Sequence, residues 1–510
     1  MEALDWIVIG VFALALIGII VWVVKQKQND SADYFLGGRD ATWLAIGASI
    51  FASNIGSEHL IGLAGAGASS GMAMAHWEIQ GWMILILGWV FVPFYSRSMV
   101  YTMPEFLERR YNSQSRTILS VISLISYVLT KVAVTVYAGG LVFQQVFGIK
   151  ELWGIDFFWI AAIGLVVLTA LYTIFGGMKS VLYTSVLQTP ILLLGSLIIL
   201  VLGFKELGGW DEMMRICGAV TVNDQGNTMT ELIRSNDDPN FPWLGALIGS
   251  AIIGFWYWCT DQFIVQRVLS GKNQKEARRG TIFGAYLKLL PVFLFLIPGM
   301  IAFALHQKYI GDGGFLPLLA NGTPNADAAF PTLVAKILPA GVKGLVVCGI
   351  LAALMSSLAS LFNSSAMLFT IDFYKRFKPQ TSEKKLVVIG QIATVVIVIL
   401  GILWIPIMRS VGDVLYTYLQ DVQSVLAPGI AAAFLLGITW KKTSAQGGMW
   451  GLIAGMVIGL TRLGAKVYYS NATVTDSSLF KYLFYDLNWL FFCGWMFLFC
   501  IVVVVVVSLF

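Results

Sequence analysis

Long apolar runs separated by short polar segments extend over almost the whole chain. Thirteen of these runs reach about twenty residues, which is the length an α-helix needs to cross the bilayer hydrocarbon. The pattern predicts an all-α, polytopic membrane protein with about 13 transmembrane helices. The spans are expected at residues 5–24, 41–66, 77–95, 116–147, 155–174, 182–202, 243–266, 281–306, 340–371, 384–405, 412–438, 446–465 and 484–508.

Two of these spans are locally interrupted by glycines and polar residues. The interruptions are Gly47, Asn54, Gly56 and Ser57 in the span 41–66, and Gly254, Thr260 and Asp261 in the span 243–266. Each span would begin a five-helix half, and an odd number of helices makes two such halves inverted with respect to each other. The predicted units are residues 1–40, a peripheral helix and inner loop; 41–203, the first inverted repeat; 204–242, an extracellular loop; 243–438, the second repeat; and 439–510, two peripheral carboxyl-terminal helices.

Composition agrees with a membrane location, because 58% of the 510 residues are hydrophobic and only 12% are charged. The net charge of +5 does not indicate nucleic-acid binding, since the basic residues lie in short loops rather than on one face. Alternate loops are basic, which places them in the cytoplasm. The amino terminus is therefore expected outside and the carboxyl terminus inside, in a plasma membrane or the inner membrane of a bacterium.

Enzymatic chemistry has little support in the sequence. The five cysteines lack the paired spacing of a metal site or a disulfide framework, and the three histidines are dispersed. We find no phosphate-binding loop and no nucleophile motif. An enzyme is therefore not expected.

Polar side chains in the middle of a span are candidates for function. Asn54, Glu58 and His59 lie near the centre of the span 41–66, where an acid costs about 2.5–3.5 kcal/mol on insertion scales. Binding of ions or substrate would explain their concentration. The alternative is that they cap and satisfy a helix kink.

A hydroxyl-rich stretch in the span 340–371 is a candidate ion site. Ser356, Ser360 and Ser364 share one helical face and Ser357 lies beside them. Sodium is a hard cation that favours oxygen ligands, including the free carbonyl groups of a broken helix. Small residues also let helices pack closely, and the residues alone leave both interpretations open.

A second polar set is suited to sugar hydroxyl groups. Glu78, Lys288, Gln420 and His59 supply a carboxylate, an ammonium, an amide and an imidazole, while Tyr257 and Trp258 add flat faces for a pyranose. The alternatives are that Lys288 extends to the interface and that Glu78 is interfacial.

From residue 33 to residue 442 the chain resembles the sodium:solute symporter family, in particular its sodium/glucose and sodium/galactose cotransporters. The motifs that carry the resemblance are Phe51-Ala-Ser-Asn-Ile-Gly-Ser57 with His59, Gly176-Gly-Met-Lys-Ser180, Tyr257-Trp-Cys-Thr-Asp-Gln262 with Gln266-Arg267, and Ala353-Leu-Met-Ser-Ser-Leu-Ala-Ser360 with Asn363 and Asp372. Several long motifs occur in the same order as in the family.

The resemblance implies a LeuT-like fold and sodium-driven uptake of a monosaccharide of the glucose or galactose type by alternating access. It implies a sodium site made of the carbonyl groups of Ala52, Ile55 and Ala353 and the hydroxyl groups of Ser356 and Ser357. It implies a sugar site made of Asn54, His59, Glu78, Trp258, Lys288 and Gln420, with Tyr257 as the inner gate. The expected partners are sodium, the sugar and the lipid bilayer, and no protein partner is predicted.

Three positions depart from the family pattern. Ser185 stands where family members commonly have Asp, and Gly254 stands where some sugar symporters carry a polar side chain. Ala359 lies where members that use two sodium ions have Thr, which favours one sodium per sugar.

Other functions remain open at this point. The same fold could carry inositol, a monocarboxylate, proline or sialic acid, although an anion would need a better cationic clamp than Lys288 beside Glu78. A membrane receptor or channel is a second class, but the sugar-type set of side chains does not favour it.

Overall fold

The computed structural model is almost entirely helical. It describes residues 1–26, 30–319, 321–411, 415–471 and 478–510, and the side chains at 129, 130, 407–411, 415–421, 470 and 471 fall outside this description. Within the described residues, ten helical segments are long and apolar enough to cross a membrane. They are Ala3–Lys25, Glu58–Ser98, Phe157–Leu207, Trp243–Thr260, Gln274–Lys308, Val342–Phe377, Glu383–Pro406, Val422–Thr439, Ala445–Tyr469 and Trp489–Leu509.

One of these segments, Phe157–Leu207, contains two predicted spans, and several others include π-helical turns. Shorter helices are Ser31–Leu36, Trp43–Asn54, Met103–Arg110, Ser113–Ser126, Ala133–Phe147, Trp210–Gly218, Gln262–Leu269, Ala329–Ile337 and Leu479–Lys481. A short antiparallel hairpin pairs Glu151–Leu152 with Ile155–Asp156. The polytopic helical architecture is as predicted, while the number of thirteen spans stays a prediction.

The first broken helix, which we define as Trp43–Asn54 followed by residues 55–70, is interrupted at residues 55–57. Ile55 leaves the helical region with φ −80° and ψ 94°, and the chain resumes as a wide π-helical turn at Glu58–Leu63. Gly56 is needed here because a Cβ atom at this position would lie 2.7 Å from the hydroxyl oxygen of Ser357. The break therefore brings this helix against Val342–Met367, which we call the serine helix.

The sequence placed Gly47 among the interruptions of this helix, but the structure keeps the helix continuous there. A Cβ atom at Gly47 would lie 2.8 Å from the carbonyl oxygen of Gly280. Gly47 thus allows close packing against the helix Gln274–Leu287 rather than breaking its own helix.

The second broken helix comprises Trp243–Gly254, the wide turn Phe255–Thr260 and Gln262–Leu269. Asp261 between the last two has an extended backbone, with φ −75° and ψ 127°, and its side chain accepts a hydrogen bond from the amide of Phe263. Gly254 remains helical, so the interruption falls at Asp261 and the widened turn before it.

The long helical stretch Phe157–Leu207 is broken at Gly177, in agreement with two predicted spans. Gly177 has φ +52°, and a Cβ atom there would lie 2.4 Å from the carbonyl oxygen of Tyr34. Only glycine combines this backbone conformation with so close a contact. The stretch packs against the serine helix, which is itself almost completely buried.

Close helix contacts elsewhere also depend on glycine. A Cβ atom at Gly299 would lie 1.9 Å from the carbonyl oxygen of Ala64, and one at Gly67 would lie 2.2 Å from that of Leu296. These two glycines let the helix Ala64–Ser70, the last part of the first broken helix, contact residues 296–308 backbone to backbone.

We therefore predict that Gly299→Ala destabilises the protein by about 1–3 kcal/mol, since neither backbone can retreat without loss of packing. Gly164→Ala is the matched control, because Gly164 is also helical and nothing lies within 4 Å of the methyl group that alanine would add. The thermal stability of the detergent-solubilised variants measures the difference. Equal melting temperatures for the two variants would contradict this account of the packing.

Candidate functional site

A buried cluster of three ionisable side chains lies between the two broken helices. The Lys288 ammonium lies 2.6 Å from Glu78 Oε2 and 2.6 Å from His59 Nε2. His59 Nε2 also lies 3.2 Å from Glu78 Oε1. All three residues are at most 4% exposed, so their charges are compensated by each other rather than by water.

The local fold explains how these side chains meet. His59 lies on the wide turn that follows the break at residues 55–57, and Glu78 lies in the helix Ala75–Ile79. Lys288 follows the helix Gln274–Leu287, and the absence of a side chain at Gly81 leaves room for its stem. A Cβ atom at Gly81 would be 2.7 Å from Lys288 Cγ.

Aromatic side chains form the next part of the site. The Asn54 amide donates a 2.9 Å hydrogen bond to the hydroxyl group of Tyr257, and the Lys288 ammonium lies 5.7 Å from the Trp258 ring centre. Both aromatic residues belong to the wide turn of the second broken helix. Such turns re-aim side chains without ending the helix and are frequent at functional sites.

These residues line one narrow cavity with room for about one water molecule, so the site is nearly closed in this structure. Several buried polar atoms in its wall have no hydrogen-bond partner among the described residues: Asn54 Oδ1, His59 Nδ1, Gln80 Oε1 and Trp258 Nε1. If Lys288 donates to His59 Nε2, the ring proton resides on Nδ1, which is then a free donor. The wall offers both donors and acceptors, and leaving them unpaired is unfavourable.

The structure brings together Asn54, His59, Glu78, Tyr257, Trp258 and Lys288, while their role in binding a sugar stays a prediction. Gln420 cannot be compared, because its side chain lies outside the described residues. The wall also contains residues that were not singled out for the sugar: Glu58, Trp77, Gln80, Ile253 and Gln423. Glu58 belongs to the polar run beside His59. Gln423 follows Gln420 by three residues, so helical spacing could have placed it on the same face.

Two of the predicted sodium ligands, Ser356 and Ser357, contact Ser53 where the serine helix packs against the first broken helix. The Ser357 hydroxyl donates a 2.7 Å hydrogen bond to the carbonyl oxygen of Ser53. Ser356 Oγ lies 3.3 Å from Ser53 Oγ, and Ala353 is one turn away on the same helix. Oxygen atoms at the end of a broken helix and on a facing helix suit a hard cation. The assignment of Ala52, Ile55, Ala353, Ser356 and Ser357 to sodium stays a prediction.

A second narrow cavity connects the two sets of residues. It shares Asn54, Glu58 and Tyr257 with the first cavity and is also lined by Ser57 and Ser357. Tyr257 therefore lies between the candidate sugar site and the candidate ion site, and its role as an inner gate stays a prediction.

Lys131 lies in the wall of the second cavity, and the sequence interpretation did not include it. Its ammonium lies 2.7 Å from Asp261 Oδ2 and 4.6 Å from the centre of the Tyr257 ring. Asp261 also accepts a hydrogen bond from the Tyr127 hydroxyl group. The sequence alone does not distinguish a buried lysine from one that extends to the membrane interface. The tertiary structure shows that the charge of Lys131 is paired with Asp261 at the break of the second helix.

Ser185, which departs from the family pattern, lies beside Ser356 of the serine helix. Its hydroxyl group lies 3.3 Å from Ser356 Oγ and 3.4 Å from Ser49 Oγ. The guanidinium of Arg267, which is 1% exposed, lies 3.1 Å from Ser49 Oγ. The surroundings of Ser185 thus combine hydroxyl groups with a buried positive charge.

We predict that Lys131→Met or Asp261→Asn alone lowers the free energy of unfolding by about 3–5 kcal/mol, because each leaves a buried group without its partner. The double variant K131M/D261N is expected to recover most of this loss. Arg215→Ala is the control, since its ion pair with Glu212 is exposed and worth less than about 1 kcal/mol. Melting temperatures in detergent test this; single variants as stable as the control would refute the pairing.

Comparisons with known proteins identify the family of the chain. A model of the sodium:solute symporter family matches residues 34–455. The human sodium/myo-inositol cotransporter 2 is 38% identical over 92% of this chain and 71% of its own length. The rabbit (Oryctolagus cuniculus) sodium/glucose cotransporter 1 is 37% identical over 100% of this chain and 79% of its own length.

Solved structures show the same fold. A Na⁺-coupled sialic acid symporter in a substrate-bound, outward-open state superposes with a TM-score of 0.81 at 22% identity, covering 100% of this chain and 98% of the other. MhsT in complex with L-phenylalanine gives a TM-score of 0.55 at 13% identity, covering 95% and 100%. The predicted LeuT-like fold is thereby confirmed. The chain is a multi-pass membrane protein that belongs to the sodium:solute symporter family, whose members are transporters rather than enzymes.

Proposed function

We propose that this protein carries a monosaccharide of the glucose or galactose type together with sodium, by alternating access. The observation that carries the proposal is the polar cavity, whose buried wall contains unpartnered donors and acceptors around a charge-compensated centre. Its inferred ligands are Asn54, His59, Glu78, Trp258, Lys288 and Gln420, with Tyr257 as the gate toward the ion site.

Charge balance favours a neutral solute. The Lys288 ammonium is already paired with Glu78 at 2.6 Å, so it is not free to hold a carboxylate. Sialic acid, a monocarboxylate or the carboxylate of proline would have to break this buried pair. Hydroxyl groups, in contrast, can donate to Asn54 Oδ1 and accept from Trp258 Nε1 without disturbing it.

Myo-inositol is the second candidate substrate. The relatives include cotransporters named for glucose and for myo-inositol, at similar identity. Both solutes are neutral rings that carry several hydroxyl groups, and the cavity chemistry suits either. We favour a monosaccharide because the residues that the family resemblance assigns to the sugar all occur in this chain.

We further infer one sodium per sugar, bound by Ala52, Ile55, Ala353, Ser356 and Ser357. Ala359 has no side-chain oxygen, and Ser185 has a hydroxyl group in place of a carboxylate. The buried Arg267 guanidinium near Ser49 also opposes a second cation beside Ser185, since like charges repel strongly at low dielectric. These residues support a single ion site.

The proposed cycle moves the two repeats, residues 41–203 and 243–438, relative to each other. Sodium from the outside joins the first broken helix to the serine helix and thereby fixes Asn54 and His59 for the sugar. We place the protein in the plasma membrane, with the amino terminus outside the cell and the carboxyl terminus in the cytoplasm. One sodium ion gains about 2.3 kcal/mol per 100 mV of membrane potential, so uptake should depend on voltage.

Uptake of radiolabelled glucose, galactose and myo-inositol into proteoliposomes tests the proposal. We expect accumulation with an inward sodium gradient and little with an equal potassium gradient, with a larger signal when the interior is negative. Sugar accumulation that exceeds inositol accumulation supports the monosaccharide. Sodium-dependent uptake of inositol alone would replace the proposed substrate, and sodium-independent uptake would refute the coupling.

Ser357→Ala should weaken sodium dependence more than sugar selectivity, because it removes a proposed ion ligand and leaves the wall of the candidate sugar cavity in place. We expect the sodium concentration for half-maximal uptake to rise about tenfold, which corresponds to the loss of about 1.4 kcal/mol. Ser365→Ala is the matched control, as it is buried on the same helix and lines neither cavity. Gln420→Ala should do the opposite and change sugar selectivity. An unchanged sodium dependence in Ser357→Ala would exclude this residue from the ion site.

A further inference from the structure

The side-chain amide of Gln80 occupies a distinctive place in the candidate sugar cavity. Gln80 starts the tight turn Gln80–Trp82 and lines the cavity together with Glu78, Trp258 and Lys288. Its Oε1 atom is buried and has no hydrogen-bond partner among the described residues. A buried amide oxygen without a partner is unfavourable unless something else supplies a donor.

Gly254 makes room for this amide. A Cβ atom at Gly254 would lie 2.8 Å from Gln80 Oε1, 3.1 Å from Gln80 Cβ and 3.2 Å from Met83 Cγ. Gly254 has ordinary helical backbone angles, with φ −61° and ψ −40°, so its backbone conformation does not require glycine. The need for glycine is therefore steric, and it concerns the space that Gln80 fills.

We propose that Gln80 accepts a hydrogen bond from one hydroxyl group of the transported solute and that Gly254 sets its position. The pair thereby replaces the contact that a polar side chain at residue 254 would make. This inference rests on the proposed function, because it requires a polyhydroxylated solute in the cavity. It makes Gln80 a specificity residue: a solute without a hydroxyl group at that point leaves the amide oxygen unpaired.

The chemistry predicts which solutes are discriminated. A site that hydrogen-bonds a hydroxyl group rejects analogues that lack this group far more strongly than a hydrophobic pocket rejects a missing methylene. The amide oxygen can only accept, so the matching substrate group must be a donor. A hydroxyl group fulfils this condition, whereas a fluorine or hydrogen at the same ring position does not.

Sodium-dependent uptake of glucose and of its 2-, 3-, 4- and 6-deoxy analogues by wild type, Gln80→Leu and Gly254→Ala tests the proposal. We expect Gln80→Leu to lose about tenfold or more in uptake efficiency for glucose. One deoxy analogue should be transported about equally by wild type and Gln80→Leu, which identifies the hydroxyl group. Gly254→Ala, which displaces the amide, should change the same ratio, and the double variant Q80L/G254A should lose no more than the single ones.

The ratios between analogues separate a contact from a structural role. If Gln80→Leu lowers the uptake of glucose and of all four analogues by the same factor, the uptake ratios between them are unchanged and the proposal is wrong. If the leucine variant does not fold, Gln80→Asn, which retains the amide but shortens the side chain by one methylene, tests the same change in the uptake ratios. Wild type that accumulates myo-inositol but none of the sugars would refute the proposed substrate, and the test of Gln80 would then use inositol and its deoxy analogues.

Discussion

A helix that stops in the middle of the membrane imposes the constraint on which the two candidate sites depend. Backbone groups freed at residues 55–57 cannot be satisfied by lipid and must find partners inside the protein. The serine helix supplies one such partner, because the hydroxyl group of Ser357 donates a hydrogen bond to the carbonyl oxygen of Ser53. Immediately beyond the break, the wide turn directs His59 toward Glu78 and Lys288. The candidate ion and solute sites therefore share one short backbone segment, which gives their coupling a physical basis.

Charge compensation provides the second level of organisation. Buried ions pair across large distances in the sequence: Glu78 with Lys288, Lys131 with Asp261, and Arg116 with Asp372 at 2.6 Å. In each pair one partner lies within residues 41–203 and the other within 243–438. Since an unpaired charge in the membrane is costly, movement of one part against the other must carry or exchange these partners. The pairs are thus natural points at which alternative conformations can differ.

Wide helical turns place many of the side chains that matter. His59, Lys131, Tyr257 and Trp258 all lie in segments where the helix takes a π-helical turn. Such a turn shifts the register of the side chains without leaving many backbone groups unpaired, which suits a membrane helix. Tyr257 illustrates the result, because its ring contacts the Lys131 ammonium while its hydroxyl group accepts from Asn54, and it separates the two cavities.

The sequence by itself determined the membrane class, the helical fold and the residues around His59, because length, hydropathy and buried polarity are local properties of a span. It also indicated, through the family resemblance, that Glu78, Lys288 and Trp258 belong to one site. The tertiary structure decided that Lys131 pairs with Asp261, that Gly47 packs rather than breaks its helix, and that Gln80 fills the space beside Gly254. These depend on distances between segments remote in sequence, and hydrophobic periodicity carries no information about which helices become neighbours.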